Sequence, residues 1–291
     1  MRSFAYHAPK TLDEAIALLH ELPEGARPVA GGTDIVVQMK EGRTKFPYPQ
    51  LVVSLDRISA LKGIEYSAAD GLRIGSGATM SEVANHPAVR EHYLALAEGA
   101  GVVGSLQTMN MGTIGGNVCN AAPSADTAPA LLAFEATAVI VGRTAQRSLP
   151  LSNFFVGPGR TALKPGELLA ELRLPAPPTG TTSAYQRHTP RKQMDIAVVG
   201  VGVALTIVGG KITRARVSLG AVAPTPIRAP KSEAALEGQS PNDATFAGAA
   251  EIAASEASPI ADVRGSADFR RHLVKVMTAR MLARAAERAK G

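Results

Sequence analysis

The chain has 291 residues, 45% apolar and 19% charged, which excludes a disordered chain or a charge-rich coiled coil and, at roughly 150 residues per domain, suggests about two domains. The longest largely apolar run, Ile196 to Val208, spans 13 residues with two glycines, short of the roughly 18 that a membrane helix needs, so no transmembrane segment is expected. Basic residues outnumber acidic ones 31 to 25, yet tryptophan is absent and aromatics are 4%, which leaves few stacking platforms for nucleic acid.

The opening Met1 to Tyr6 lacks the apolar core of a signal peptide. Thr11 and Glu14 form a capping-box pair, opening a helix whose stripe, Leu12, Ala15, Ile16, Leu18 and Leu19, runs to about Leu22. After Pro23 and Gly25, Arg27 to Ala30 is a short apolar run, and Pro47 to Leu55 reads as a strand. Gly63 to Gly75 reads as a hairpin about Asp70-Gly71. Thr79 and Glu82 form a second capping box, opening a helix that Pro87 interrupts, and 92–100 is helical in pattern. From Gly101 to Asp126 small and polar residues dominate without a period, so an irregular, functional stretch is expected. Ala128 to Ala136 reads as a buried helix, and Thr137 to Gly142 and Glu167 to Leu174 as strands. The Pro-rich Pro175 to Gly180 marks a domain boundary. Strands follow at about 183–189, 195–208 and 211–223, the last two joined by Gly209-Gly210, then helices at about 231–237, 242–256 and 266–289. Strands followed by helices suggest an α+β domain. The seven Lys and Arg residues from Arg270 to Lys290 are expected to form the solvated face of the last helix.

Chemistry concentrates at two glycine-rich sites. Ala30-Gly31-Gly32-Thr33-Asp34 follows Val29. Successive glycines let backbone N–H groups converge on an anion such as a pyrophosphate, and Thr33 adds a hydroxyl; the same residues also suit an ordinary turn. Thr113-Ile114-Gly115-Gly116-Asn117 continues through small residues to Asp126. Small residues over that length suggest backbone lying against a large flat ligand, or a tightly packed loop. Neither site has the spacing of a Rossmann dinucleotide loop or of a P-loop. The one cysteine, Cys119, excludes an intramolecular disulfide and a multi-cysteine metal site on this chain alone. The six histidines show no metal-ligand spacing.

The order and spacing of these pieces carry a resemblance over nearly the whole chain. They are Phe4-x-Tyr6-x-x-Pro9-x-Thr11-x-x-Glu14-Ala15, the two glycine sites, Lys164-Pro165-Gly166-Glu167-Leu168-Leu169, Leu174-Pro175, Tyr185 to Ala197, and Asp262-x-Arg264-x-Ser266-Ala267-x-Phe269-Arg270-Arg271. The chain resembles the FAD-binding medium subunits of the molybdenum hydroxylases, the family of xanthine dehydrogenase, carbon monoxide dehydrogenase and the bacterial aldehyde and N-heterocycle dehydrogenases. That resemblance implies an α+β protein. A vanillyl-alcohol-oxidase-type FAD-binding fold at 1–176, with subdomains of about 1–57 and 58–176, would precede a C-terminal α+β domain at 181–291 like that of carbon monoxide dehydrogenase flavoproteins.

By the same resemblance, Val29, Ala30, Gly31, Gly32, Thr33 and Asp34 and then Thr113, Gly115, Gly116 and Asn117 surround the FAD phosphates. Asp126 lies near the flavin or ribityl end. Leu168 or, preferably, Leu169 packs on the isoalloxazine. Arg187 stands where relatives place a lysine at the pyrimidine edge, and Tyr185 is a lesser ring contact. Met109-Asn110 replaces the Arg-Asn of relatives, which removes one phosphate or flavin contact. No histidine in either glycine loop can tether the cofactor, so FAD is expected to be non-covalent. The resemblance further implies an electron-transfer role in the cytoplasm. Molybdenum cofactor would sit on a large partner chain and [2Fe–2S] clusters on a small one, in a dimer of heterotrimers. The alternatives are a self-contained flavin oxidoreductase of the same fold and a basic, non-enzymatic binding module.

Overall fold

The computed structural model describes residues 2–42, 44 and 46–289; Lys290, counted above in the basic helix, lies outside them, as does Met1 of the opening segment. The first segment runs β1 (Ala5–His7), α1 (Leu12–Glu21), β2 (Ala26–Val29), α2 (Ile35–Glu41) and β3 (Leu51–Ser54). β3 lies between β1 and β2 and parallel to both. Parallel neighbours need crossovers, and α1 and α2 provide them. Thr11 caps α1 as its spacing predicts, the hydroxyl accepting from the Glu14 N–H. The helix buries Ala15, Ile16 and Leu19 against Val53, Ile58 and Leu61. The strand expected from Pro47 is shorter at its start, because Pro47 and Pro49 have no N–H to give a ladder.

The second segment is β4 (Ile64–Ser67), β5 (Gly71–Gly75), α3 (Met80–Asn85), α4 (Pro87–His92), α5 (Leu94–Ala100), α6 (Leu106–Met111), α7 (Ile114–Asn120), α8 (Thr127–Ala133), β6 (Thr137–Val141), β7 (Gln146–Pro150), β8 (Phe155–Gly157), β9 (Arg160–Thr161) and β10 (Leu168–Leu174). β4-β5-β10-β6-β7 form an antiparallel sheet. Its core gathers Leu72, Ile74, Leu96, Leu131, Ile140 and Leu172. The hairpin at Asp70-Gly71 and the Thr79–Glu82 capping box are both present. The stretch 101–126 is not irregular throughout: it folds into α6 and α7, capped by Ser105 and Thr113. Each cap hydroxyl accepts from the N–H three residues on, so N-cap chemistry was the available signal where hydrophobic periodicity was absent.

The last segment is β11 (Thr181–His188), β12 (Val199–Val208), β13 (Lys211–Gly220), β14 (Ile227–Arg228), α9 (Pro230–Leu236), α10 (Asp243–Glu256) and α11 (Ala267–Arg288). The four strands form one antiparallel sheet in chain order. Gly209 and Gly210, both at positive φ, make the tight turn between β12 and β13. α10 and α11 pack on each other, and α11 also packs on β11 and β12, enclosing Val203, Leu205, Phe246, Met277 and Leu282.

The expected solvated face of α11 needs one correction. Arg270 is 3% exposed; its guanidinium donates to the Val198 and Ala221 carbonyls and pairs with Asp262. Arg271 pairs with Asp268, Lys275 with Glu251, and Arg284 and Arg288 with Glu98. No described helix is long and apolar enough to cross a membrane.

α8 packs its Pro129 on the last sheet, where Gly202 and Gly220 permit it; a Cβ at either would lie 3.0 Å from Pro129 atoms. Three carboxylates of the second segment meet cations of the third. Glu98 takes Arg284 and Arg288, Asp126 takes Arg187, and Glu135 takes Arg214, Arg216 and Arg228.

Candidate functional site

The first glycine turn begins where β2 ends. The Val29 carbonyl accepts from the Leu55 N–H, holding the strand end against the loop after β3. Gly32 turns the chain at φ +72° into α2. Gly31 is required by contact: a Cβ there would lie 1.8 Å from the Met111 carbonyl oxygen at the end of α6. The two glycine-rich sites, about 80 residues apart in sequence, therefore abut. The Asn120 side-chain amide donates to Asp34 at 3.1 Å, and a Cβ at Gly112 would lie 3.4 Å from the Thr33 hydroxyl. Among the described residues no acceptor meets the amides of Gly31, Gly32 and Thr33.

In the second site Thr113 caps α7, its hydroxyl accepting from the Gly116 N–H at 3.1 Å. Ile114 and Gly115 donate backward to the Ala78 and Ser76 carbonyls. Gly115 is buried, and a Cβ there would strike Ser76 at 2.4 Å, so this glycine serves the approach of α7 to the end of β5. Gly116 is exposed, and a Cβ there would meet nothing within 4 Å except the Thr113 hydroxyl at 3.0 Å. Asn117 accepts from the Thr127 hydroxyl at 2.7 Å.

Asp126 immediately precedes α8, and Tyr185 and Arg187 are alternate residues of β11, sharing one face of the strand. The Tyr185 hydroxyl donates to Asp126 Oδ1 at 2.7 Å, and Arg187 Nη1 to Oδ2 at 2.6 Å. All three side chains are buried. Burial pushes the Asp126 carboxyl up to about 6, although the Arg187 charge and both hydrogen bonds pull the other way. Burial, and then the Asp126 charge, raise the Tyr185 phenol far above its ordinary range, so it stays a donor. A cleft of about 560 Å3 opens beside the cluster, lined by Glu98, Val102, Arg187, His188, Lys192 and Arg284.

Glu98 was not visible as a site residue in the sequence. It accepts from the Tyr185 backbone N–H at 2.7 Å, from Arg288 at 2.5 Å and from Arg284 at 3.0 Å. Its signal is tertiary: one glutamate on α5 collects donors from two distant elements. Leu168 and Leu169 lie on opposite faces of β10, and each is enclosed in a core, 3% and 4% exposed. The expected apolar face toward a planar ring is therefore not open at either position.

The arrangement fits a flavin dinucleotide. Two abutting backbone loops, one with three amides lacking acceptors and one with open space at Gly116, suit a pyrophosphate. A buried polar cluster beside a cleft can orient a heterocyclic ring.

Residues 2–177 match the family described as the FAD binding domain in molybdopterin dehydrogenase, and residues 184–285 the CO dehydrogenase flavoprotein C-terminal domain. The carbon monoxide dehydrogenase medium chain of Afipia carboxidovorans is 35% identical over 295 residues, covering 99% of this chain and 98% of that one. The putative xanthine dehydrogenase FAD-binding subunit of Escherichia coli is 31% identical over 288 residues, covering 99% and 97%. Among solved structures, a chain of carbon monoxide dehydrogenase from Hydrogenophaga pseudoflava superposes with a TM-score of 0.93 at 33% identity, covering 99% and 98%. End-to-end similarity in both sequence and fold, together with two abutting glycine sites and a polar cluster at the domain border, shows that this chain belongs to the FAD-binding medium subunits of the molybdenum hydroxylases.

Proposed function

We propose that this chain is the electron-transfer subunit of a molybdenum-containing hydroxylase, taking electrons from iron–sulfur clusters on a partner chain and passing them to an acceptor. Bound FAD supplies the redox chemistry, and the chain supplies position and electrostatics. Val29, Ala30, Gly31, Gly32, Thr33 and Asp34 surround the pyrophosphate together with Thr113, Gly115, Gly116 and Asn117, while Asp126, Tyr185 and Arg187 order the ring end.

The observation that carries this reading is the convergence of Asp126, Tyr185 and Arg187 from both domains beside the cleft. One cysteine cannot supply the roughly four ligands each [2Fe–2S] cluster needs, which supports placing clusters and molybdenum cofactor on small and large partners. The relatives' own designation as medium chains supports such partners. We extend the proposal to a dimer of heterotrimers in the cytoplasm, where a lone cysteine stays reduced, and to domain limits of 1–176, with subdomains about 1–57 and 58–176, and 181–291. A self-contained flavoenzyme is disfavoured by the end-to-end similarity to medium chains. A basic binding module is disfavoured because α11 pairs five of its cations internally.

The test compares the isolated chain with the complex it co-purifies in. Acid-released cofactor is expected to run as FAD from both. A substrate that reduces the flavin of the complex should leave that of the isolated chain oxidised, while dithionite reduces both. Substrate reduction of the isolated chain at a catalytic rate would establish the self-contained flavoenzyme instead.

A further inference from the structure

Arg187 meets the cleft as half of an ion pair. Its side chain is 6% exposed and that of Asp126 8%, with 2.6 Å between Nη1 and Oδ2. While Asp126 is ionised, the pair presents little net charge to anything in the cleft. The carboxylate also accepts from Tyr185, a phenol that stays protonated.

The other titratable groups on the elements packed against α8 make no hydrogen bond to the Asp126 carboxylate. Glu98 on α5 accepts from Tyr185 N–H, Arg284 and Arg288. Cys119 on α7 is a thiol that burial pushes up to about 12. On β13 and β14, Arg214, Arg216 and Arg228 meet Glu135 beyond the far end of α8, and Lys211 donates to Ser240. β12 carries no charged residue. His188 and Lys192 line the same cleft.

From this geometry we infer that Asp126 takes up a proton from solvent when two electrons enter the cofactor, releasing the Arg187 charge from its ion pair toward the reduced ring. The inference rests on the proposed reading that flavin lies beside Arg187. Two electrons arrive from the partner's clusters, or from dithionite in an isolated chain. One proton goes to the ring, and one converts the Asp126 carboxylate to a carboxylic acid. The site's total charge is unchanged, while its distribution shifts: the positive guanidinium now faces the electron-rich ring instead of a carboxylate. Both protons leave on reoxidation. A second negative charge in a poorly solvated site disfavours an ionised carboxylate, and burial has already poised Asp126 toward the neutral form. Asp126 thus acts through Arg187, as a positioning residue rather than a catalytic one.

The experiment uses the FAD-loaded chain. At pH 7, with the flavin reduced at an electrode so that no chemical reductant releases protons, the reduced-minus-oxidised infrared difference spectrum should show a new C=O stretch of a protonated carboxyl, and an indicator dye in weak buffer should record two protons taken up per two electrons. Asp126→Asn should lose the band and take up one proton. Tyr185→Phe, which keeps the carboxyl but removes its hydroxyl donor, should shift the band; this variant decides the matter if Asp126→Asn binds no flavin. No carboxyl band in the wild type, a band that survives Asp126→Asn, or a band unmoved by Tyr185→Phe would each overturn the inference. A chain that folds but releases no flavin would instead remove the functional reading beneath it.

Discussion

Gly31 has no room for even a methyl group, since a Cβ there would lie 1.8 Å from the Met111 carbonyl oxygen. Gly31→Ala should therefore part the two loops and damage the apo-fold along with the ligand site. Gly32 is equally unsuited to a clean test, because a β-branched residue at φ +72° strains the turn itself. Gly116 separates the two effects. Gly116→Val meets only the Thr113 cap, so apo stability should fall by about 1–2 kcal/mol in a urea titration. FAD recovered per chain should fall close to zero, and full occupancy would remove Gly116 from the site. In the sequence these glycines looked equivalent. What distinguishes them, a neighbour from elsewhere in the chain, leaves no local trace. Asp126 and Arg187 could be named separately from the motif, but their pairing depends on β11 lying over the start of α8.

Among the elements, those written in local chemistry were legible. The caps of α1 and α3, the Asp70-Gly71 and Gly209-Gly210 turns and the long helix α11 all follow from nearby residues. The helices α6 and α7 were hidden for different reasons: α6 buries no residue, and α7 buries only Ile114, Gly115 and Val118, with Gly115 set against Ser76 at the end of β5, rather than a stripe of large apolar residues. The strands β7, β8 and β9 are short, and β7 lies at a sheet edge, so periodicity had little length to act on. Arg270 misled because a cation in a basic helix reads as solvated until its carbonyl partners are known.

The turn after α8 offers an element-scale test. Burial pushes the Glu135 carboxyl up, but the Arg216 hydrogen bond and the charges of Arg216, Arg214 and Arg228 outweigh it and hold the carboxyl below its usual range. A lowered carboxyl stabilises the fold above its unfolded-state value near 4, and that contribution is lost as pH falls through the lower folded value. Glu135→Ala leaves three guanidiniums clustered. At neutral pH it should cost about 2 kcal/mol, discounted for partial exposure. Urea midpoints of wild type and variant should converge as the pH is lowered below about 4; a constant gap down to pH 3 would refute the assignment.

At the scale of the whole molecule, apolar side chains stand exposed around the glycine sites: Val37 on α2, with Leu106 and Met111 on α6 at 69% and 61% exposure. Such a surface on a chain free of partners favours association. Sedimentation of the isolated chain is expected to show concentration-dependent self-association, which Val37→Lys combined with Leu106→Glu reduces. Sedimentation unchanged by the double variant would place the contact elsewhere.

The ion pairs across the domain border all run one way. Among the described residues, Glu98, Asp126 and Glu135 contribute the acids, and the C-terminal domain contributes every base. This makes the two halves a lock and a key with respect to inheritance. A chimera joining this N-terminal half to a foreign C-terminal half would strand three carboxylates, and the reciprocal chimera would strand their arginines, unless the donor carried the same polarity at the same positions. Substitutions on one side of the border thus set which substitutions the other side tolerates, and the two halves are constrained to drift together.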